Sequence, residues 1–172
     1  ANDLAGTVTV NSAGNIRDFK LYNTNANAGA IVNLTNTAAT QLRDLTINYT
    51  NAAYELPTLR PSTLRNVSVT AGGAITQASG GVTPTGTSSF NAGSFAITLN
   101  DAANDFGGAV TLSNTGANNV AVKDVDDLIL AASSVGSGTL TLNAVGITQT
   151  GAITQASSAG AATFNAGAGV IT

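Results

Sequence analysis

The sequence predicts an all-β protein, a right-handed parallel β-helix that winds roughly seven coils over one continuous domain, residues 1–172. Three observations lead to this fold class. The chain repeats itself, its apolar residues alternate with polar ones in short runs, and no segment carries the apolar stripe of a helix. Short strands combined with internal repeats are typical of solenoids, in which each coil contacts only its neighbours.

The repeats are short sequence motifs, here called words, that occur in both of two long, similar segments of the chain. The copies run over 1–98 and 103–172, and the longer first copy holds a coil-sized insert within 22–65. We expect the two copies of each word to occupy like settings in the fold. The words and their returns are Gly73–Ser79 with Gly151–Ser157, Phe90–Gly93 with Phe164–Gly167, and Ala1–Asp3 with Ala103–Asp105.

Alternation within the runs predicts which side chains fill the interior, because successive residues of a strand point to opposite faces. Thr7, Thr9, Thr46, Ser68, Thr111, Ala121, Ile129 and Thr141 are expected to face outward. The stretch Leu56–Leu64 contains two prolines, which are excluded from central strands, and is interpreted as an excursion from the coil. The residues expected to point inward are Val8, Val10, Leu45, Ile47, Val67, Val69, Val110, Leu112, Val120, Val122, Leu128, Leu130, Leu140 and Leu142.

The amino-acid composition excludes several classes of function. Charged residues make up 9% of the chain, and cysteine and histidine are absent, which excludes disulfides, thiolate nucleophiles and cysteine-based zinc sites. No basic stripe is present for nucleic acid, and no apolar run is long enough for a membrane helix. We therefore expect no cofactor, no nucleic-acid partner and no membrane insertion.

The repeated words resemble those of filamentous-haemagglutinin-like bacterial exoproteins. The residues that carry this resemblance are Gly-Ala-Ile-Thr-Gln-Ala-Ser, Phe-Asn-Ala-Gly and the segment Ala103–Asn118. The resemblance is strongest over 66–172, fair over 1–16 and loose over 17–65. It implies a β-helical shaft in a large adhesin that is exported by two-partner secretion or as an autotransporter, lies at the cell surface and supports adhesion and biofilm formation.

One acidic cluster is a candidate metal site. Asp124, Asp126 and Asp127 follow one strand and precede the next, and three carboxylates can bind Ca²⁺. The first copy has no equivalent triplet, which favours a solvated turn over a repeated calcium site. Use of these aspartates as the acids of a polysaccharide-cleaving β-helix is the weakest of the three hypotheses.

The insert holds the candidate partner surface, since loops on a rigid scaffold often carry binding residues. Coverage of the coil flank is the competing and favoured interpretation of the same residues. They are Tyr22, Tyr49, Tyr54, Arg43, Arg60 and Arg65.

Together these observations predict a non-enzymatic, secreted shaft segment whose parent protein attaches to host-cell, abiotic or polysaccharide surfaces through other regions. A self-assembling extracellular filament or surface-layer subunit is the alternative, because uncapped sheet edges favour end-to-end association. A carbohydrate-binding or polysaccharide-cleaving β-helix ranks third.

Overall fold

A computed structural model describes residues 1–10, 16–34 and 41–172, and in these residues it consists of strands and turns without a helix. Residues 35–40, within the predicted insert, lie outside the described part. The described residues therefore contain no helix that is long and apolar enough to span a bilayer. The strands are β1 (Gly6–Thr9), β2 (Asp18–Asn23), β3 (Ala28–Asn33), β4 (Asp44–Tyr49), β5 (Tyr54–Leu56), β6 (Asn66–Ala71), β7 (Ile75–Gln77), β8 (Ser88–Asn91), β9 (Ile97–Leu99), β10 (Val110–Ser113), β11 (Val120–Lys123), β12 (Asp127–Leu130), β13 (Ser133–Val135), β14 (Leu140–Asn143), β15 (Gly146–Gln149), β16 (Ile153–Gln155) and β17 (Ala162–Asn165).

From β4 to β12, successive strands alternate between two long parallel sheets. One sheet has the order β15-β12-β10-β8-β6-β4-β2, with β13 and β16 attached beside it. The second has the order β17-β14-β11-β9-β7-β5, and β1 pairs with β3 in a small third sheet. Strands that are stacked in parallel over about seven turns form a β-solenoid, so the predicted fold class is confirmed.

The register between coils is regular. Val67 pairs with Ser88, and Ser88 pairs with Val110, so the chain returns to the same face of the column at nearly equal intervals. Neighbouring parallel strands lie about 4.8 Å apart, so that seven turns build a column about 35 Å long.

The interior is a continuous apolar column. The residues expected to point inward are buried, except that Val8 and Val10 in the first coil are only partly buried. Two aromatic pairs widen the column locally, Tyr49 with Tyr54 at 5.4 Å between ring centroids and Phe90 with Phe106 at 6.1 Å, both edge to face. The alternation of apolar and polar residues thus correctly predicts which side chains point into the column and which point outward.

The interpretation of Leu56–Leu64 as an excursion is wrong. Leu56 ends β5, Leu59 forms a parallel bridge with Val82, and Leu56, Leu59 and Leu64 are all 0% exposed. Pro57 and Pro61 lie where the chain changes direction between these buried leucines, so they interrupt no sheet ladder. The segment forms the wall of a coil because every leucine in it reaches the interior.

The two copies of Gly-Ala-Ile-Thr-Gln do not occupy like settings. The first copy forms β7 of the six-stranded sheet, whereas the second forms β16, which pairs with β13 beside the nine-stranded sheet. One coil runs from a residue to its register partner, as from Val67 to Ser88 or from Ser88 to Val110. The distance along the chain from Gly73 to Gly151 is not a whole number of such coils. The second copy is therefore rotated around the column, and the expectation of equal settings is wrong.

Local structure nevertheless follows the words. Gly93 and Gly167 end the two Phe-Asn-Ala-Gly copies, and both adopt left-handed backbone, with φ of 55° and 54°. The Asn91 carboxamide oxygen accepts a hydrogen bond from the Gly93 amide at 3.0 Å, which closes the turn. Each word thus determines a turn, and the spacing between words determines the face on which the turn lies.

Candidate functional site

The outer faces of the two long sheets carry columns of small polar side chains. On the nine-stranded sheet the successive partners are Lys20, Thr46, Ser68, Ser89 and Thr111. On the six-stranded sheet the corresponding column is Glu55, Thr76, Thr98, Ala121, Thr141 and Thr163, so each column begins with one charged residue and continues with small side chains. These faces are polar with few charges, and they offer hydroxyl groups at the strand spacing of about 4.8 Å.

Buried amides stabilise the corners of the column. Asn104 is 0% exposed and forms a reciprocal pair with Gln77: each side-chain amide donates to the other's oxygen, at 2.8 and 2.9 Å. The same Asn104 oxygen accepts from the Val82 amide at 3.0 Å, and its nitrogen also lies 3.1 Å from the Leu99 carbonyl. The repeat of the Ala-Asn-Asp word draws attention to this position, but alternation and composition do not indicate that the Asn104 side chain is buried.

Aspartates do cap turns beside this amide. The Asp101 carboxylate accepts hydrogen bonds from the amides of Ala103 at 2.8 Å and Gly80 at 3.1 Å. These two backbone hydrogen bonds hold the pKa of Asp101 below its ordinary value. Asp101 therefore caps the backbone of this turn.

The acidic cluster differs in membership from the predicted triplet. Asp124 and Asp126 lie with Asp105, which comes from the preceding coil, and oxygens of the three carboxylates are within 4.8 Å of one another. Asp127 is exposed and begins β12, where it pairs with Gly146. The sequence could not place Asp105 here, because the contact depends on the length of the intervening coil.

Within this cluster Asp124 has a structural role. Its side chain is buried and accepts hydrogen bonds from the backbone amides of Phe106, at 3.2 Å, and Val125, at 2.8 Å. Burial raises the pKa of Asp124 to about 6, and the neighbouring charges of Asp126 and Asp105 act in the same direction. These contacts favour the turn interpretation, and the calcium hypothesis stays a prediction.

The raised pKa of Asp124 predicts a pH-dependent stability. The folded chain binds this proton more tightly than the unfolded chain, so the stability is greatest below about pH 4 and falls as the pH rises to about 6. Asp124→Asn keeps the acceptor oxygen without the charge. We expect it to exceed the wild type by about 2 kcal/mol in unfolding free energy at pH 7 and to match it near pH 4.

Urea unfolding followed by circular dichroism at the two pH values measures this difference. Asp127→Asn, which removes the charge of an exposed aspartate at the start of β12, controls for the change in net charge. A difference between wild type and Asp124→Asn that does not vary with pH would contradict the assignment.

Two members of the candidate partner surface are not on the surface. Tyr49 and Tyr54 are 0% exposed and pack against each other inside the column. Their inclusion in a partner surface is wrong, because they continue the inward alternation of β4 and β5. Burial also raises the pKa of both hydroxyl groups, so both stay protonated over the physiological range.

The remaining members divide between two places. Tyr22 is 47% exposed on β2, and Arg43 and Arg65 precede the adjacent strands β4 and β6. Arg17 extends this series, since the Arg43 amide donates to the Arg17 carbonyl and the Arg65 amide to the Arg43 carbonyl. Arg60 lies apart from them, with its guanidinium 3.5 Å from the Gly80 carbonyl.

The arginines at the β2–β4 corner are partly neutralised within the chain. Arg43 contacts Asp44 at 3.0 Å and Asp18 at 3.5 Å, and Arg17 contacts Asp18 at 2.8 Å. Desolvation raises the pKa of Asp44, but hydrogen bonds from Asn66 and Arg43 outweigh it, so the pKa lies below its ordinary value. Exposed ion pairs of this kind contribute little to the stability of the fold. The interpretation that the insert covers the flank of the coil is unchanged by them.

A shallow groove of about 460 Å³ lies across the N-terminal coils, and no motif in the sequence indicated it. Its lining is mostly apolar and comes from residues far apart in the chain. They are Thr7, Ile31, Asn33, Pro57, Thr58 and Ala78.

Comparison with known proteins returns one family. A model described as repeats of unknown function, DUF5649, matches residues 29–113 and 117–172. No curated protein and no solved structure matches the chain.

Proposed function

The chain belongs to the DUF5649 family of repeats, and on that premise we propose that it is a structural shaft segment of a large, secreted bacterial surface adhesin. In this role the chain holds adhesive regions of its parent protein away from the cell. The attachment to host-cell, abiotic or polysaccharide surfaces is made by those other regions.

The observation that carries the proposal is the stacking of parallel coils around one apolar column throughout the described residues. Backbone hydrogen bonds link coil to coil along both long sheets, and the column is filled by residues such as Leu45, Val67, Val110 and Leu128. Such a rod resists bending without metal or disulfide, because each coil is held by a whole ladder of hydrogen bonds. The absence of cysteine from the sequence also suits export, since no thiol can form a wrong disulfide on the way.

The low charge of the outer faces fits a spacer better than a binding module. Binding surfaces are usually enriched in aromatic and arginine side chains. Apart from Lys20 and Glu55, which begin them, the outer columns of this chain instead present threonine, serine and alanine. The arginines of the β2–β4 corner are paired with aspartates.

The shaft proposal predicts that the chain tolerates loss of one complete coil. Deleting residues 88–109 brings Thr87 next to Val110, and Val110 is the partner of Ser88, so the register of the nine-stranded sheet is kept. A solenoid contacts only adjacent repeats, so we expect a folded rod shortened by about 4.8 Å in small-angle X-ray scattering. The rod should be less stable than the full chain, because Gln77 and the Val82 amide lose Asn104 as their partner.

The functional test uses the full chain tethered to beads, with and without a binding domain of known ligand fused to its free end. We expect that beads carrying the bare chain do not attach to cell or polysaccharide surfaces. We also expect that the bare chain releases no product from polysaccharides. With the domain, the full chain and the 88–109 deletion should both attach through its ligand. Attachment by the bare chain would overturn the shaft proposal in favour of a binding module, and product release would favour an enzyme.

A further inference from the structure

One boundary between neighbouring coils is bridged on one sheet only. The coil of β2 and β3 is joined to the coil of β4 and β5 by six register pairs between β2 and β4. Within the described residues β3 and β5 form no bridge with each other, and β3 pairs only with β1 in the separate two-stranded sheet. We call this boundary, between residues 18–33 and residues 44–56, the joint.

In the described part of the chain, every other boundary between neighbouring coils is bridged on both sides. The coil of β1 is held to the coil of β2 and β3 by the β1–β3 pair and by the bridge between Asn2 and Asn23. From β4 to β17 each coil pairs with the next in both long sheets. The joint is therefore an interruption inside the column, with bridged coils on both sides of it.

The open edge of β5 faces β3. The Tyr54 amide donates to the Ala74 carbonyl at 3.0 Å, and the Leu56 carbonyl accepts from the Ala78 amide at 2.8 Å, so both residues bond to the coil of β7. The backbone groups of successive residues in a strand point to opposite sides. Those of Glu55 thus point toward β3, which forms no bridge with it.

The groove of about 460 Å³ lies at the same boundary. Its lining includes Ile31 and Asn33 of β3 on one side of the joint and Pro57 and Thr58, which follow β5, on the other. The surfaces of the two coils therefore separate where the second ladder is missing.

The side-chain contacts across the joint do not replace that ladder. Arg43 lies 3.5 Å from Asp18 in a partly exposed ion pair. The Asn51 side-chain amide donates to the Thr24 carbonyl at 2.7 Å in an exposed position. Contacts of this kind compete with water and contribute little to stability.

Opening at the joint also lets water reach buried polar atoms. The Asn48 carboxamide oxygen and the Tyr54 hydroxyl lie on the β4 and β5 side, and neither has a hydrogen-bond partner within the described residues. Asn48 is the register partner of Tyr22 across the joint. Because an unpaired buried polar group bears a desolvation cost, hydration of these atoms reduces the free energy of opening.

We propose that the chain opens at the joint in a separate step, in which the coils on its two sides part while the coils from β4 to β17 stay stacked. Proteins open locally, at free energies below that of global unfolding, where few contacts hold a region. The opening is a property of the fold alone. Its use, as the place where a loaded shaft lengthens before it fails, rests on the proposed shaft function.

Native-state hydrogen exchange of the full chain, followed by NMR at rising urea concentration, tests the joint. Thr50 follows β4, and its amide donates across the joint to the carbonyl of Asn23, which ends β2, at 3.1 Å. Ala144 follows β14 and donates in the same way to Asn165, which ends β17, at 2.9 Å. We expect the Thr50 amide to exchange about tenfold faster than that of Ala144 after correction for intrinsic rates, with a weaker dependence on urea.

The comparison with Ala144 controls for fraying, because its boundary lies near the other end of the described coils. Equal exchange of the Thr50 and Ala144 amides would overturn the proposal, since the joint would then be no weaker than a boundary with both ladders. This comparison uses the wild type, so it holds even where a variant fails to fold, and it is independent of the attachment test of the shaft.

A disulfide across the joint gives a second measurement, because the chain contains no cysteine. Lys20 and Thr46 are partners across the joint on the outer face, and Ser68 and Ser89 are partners across an intact boundary in the same column. Strands about 4.8 Å apart place the Cα atoms of such partners within the range that a disulfide spans. We expect oxidised Lys20→Cys/Thr46→Cys to slow the exchange of the Thr50 amide to the global rate.

Oxidised Ser68→Cys/Ser89→Cys is the matched control and should leave the exchange of the Thr50 amide unchanged. Equal slowing by the two disulfides would overturn the proposal, because the amide would then exchange through an opening that is not confined to the joint. Fast exchange that persists in oxidised Lys20→Cys/Thr46→Cys would overturn it as well.

Discussion

Leu128→Asp is expected to unfold the chain or to lower its unfolding free energy by about 4 kcal/mol, the largest effect of any single change considered. Leu128 is 0% exposed in β12 and pairs with Ile147 of β15, so its side chain is enclosed by the stacked coils. A carboxylate at this position would lie in an apolar column without a partner. Natural domains are stable by only about 5–15 kcal/mol, so this loss is a large part of the total.

Ile129→Asp is the matched control, because it makes a similar change one residue further along the same strand. Ile129 points outward opposite Thr148, where a carboxylate keeps its water, and we expect a loss of less than about 1 kcal/mol. Thr111→Asp on the outer face of β10 should be similarly mild. Thermal unfolding by circular dichroism compares the variants, and equal melting temperatures for Leu128→Asp and Ile129→Asp would refute the assignment of faces.

The faces could be predicted from the sequence because strand alternation is a local property. Val120 and Val122 point inward and Ala121 outward, whatever coil they belong to. The same rule would have placed Tyr49 correctly, since it continues the series Leu45 and Ile47. The position of Tyr49 in the insert and its aromatic ring favour a partner surface, but the alternation of β4 indicates burial, and burial is what the structure shows.

Contacts between coils could not be predicted in the same way. Asp105 joins Asp124 only because the coil between them has a length that stacks one above the other. Likewise, the two Gly-Ala-Ile-Thr-Gln words lie in different settings because the stretch from Gly73 to Gly151 does not make a whole number of coils. A repeated sequence word determines the local turn. Which turns lie next to each other depends on the summed lengths of the coils between them, and each inserted residue changes that sum.

Asn104→Leu is expected to have the second largest effect, a loss of about 3 kcal/mol in unfolding free energy. The substitution keeps the branched shape of the side chain, although leucine is larger, and it removes the acceptor for the Val82 amide and both hydrogen bonds to Gln77. Val82 is 1% exposed, so water cannot replace the lost acceptor and its amide bears the desolvation cost, whereas the partly buried Gln77 can regain some water. Asn100→Leu, on the exposed side of the same turn, is the control and should change stability little.

A double-mutant cycle with Gln77→Leu separates the amide pair from the rest of the corner. Removing both side-chain amides leaves no unpaired partner between them, so the double variant should be more stable than the sum of the single losses predicts. Chemical unfolding of the four proteins gives the coupling free energy, which we expect to be about 1–2 kcal/mol. Strict additivity would mean that Gln77 and Asn104 act independently and that the reciprocal hydrogen bonds contribute nothing beyond the two separate side chains.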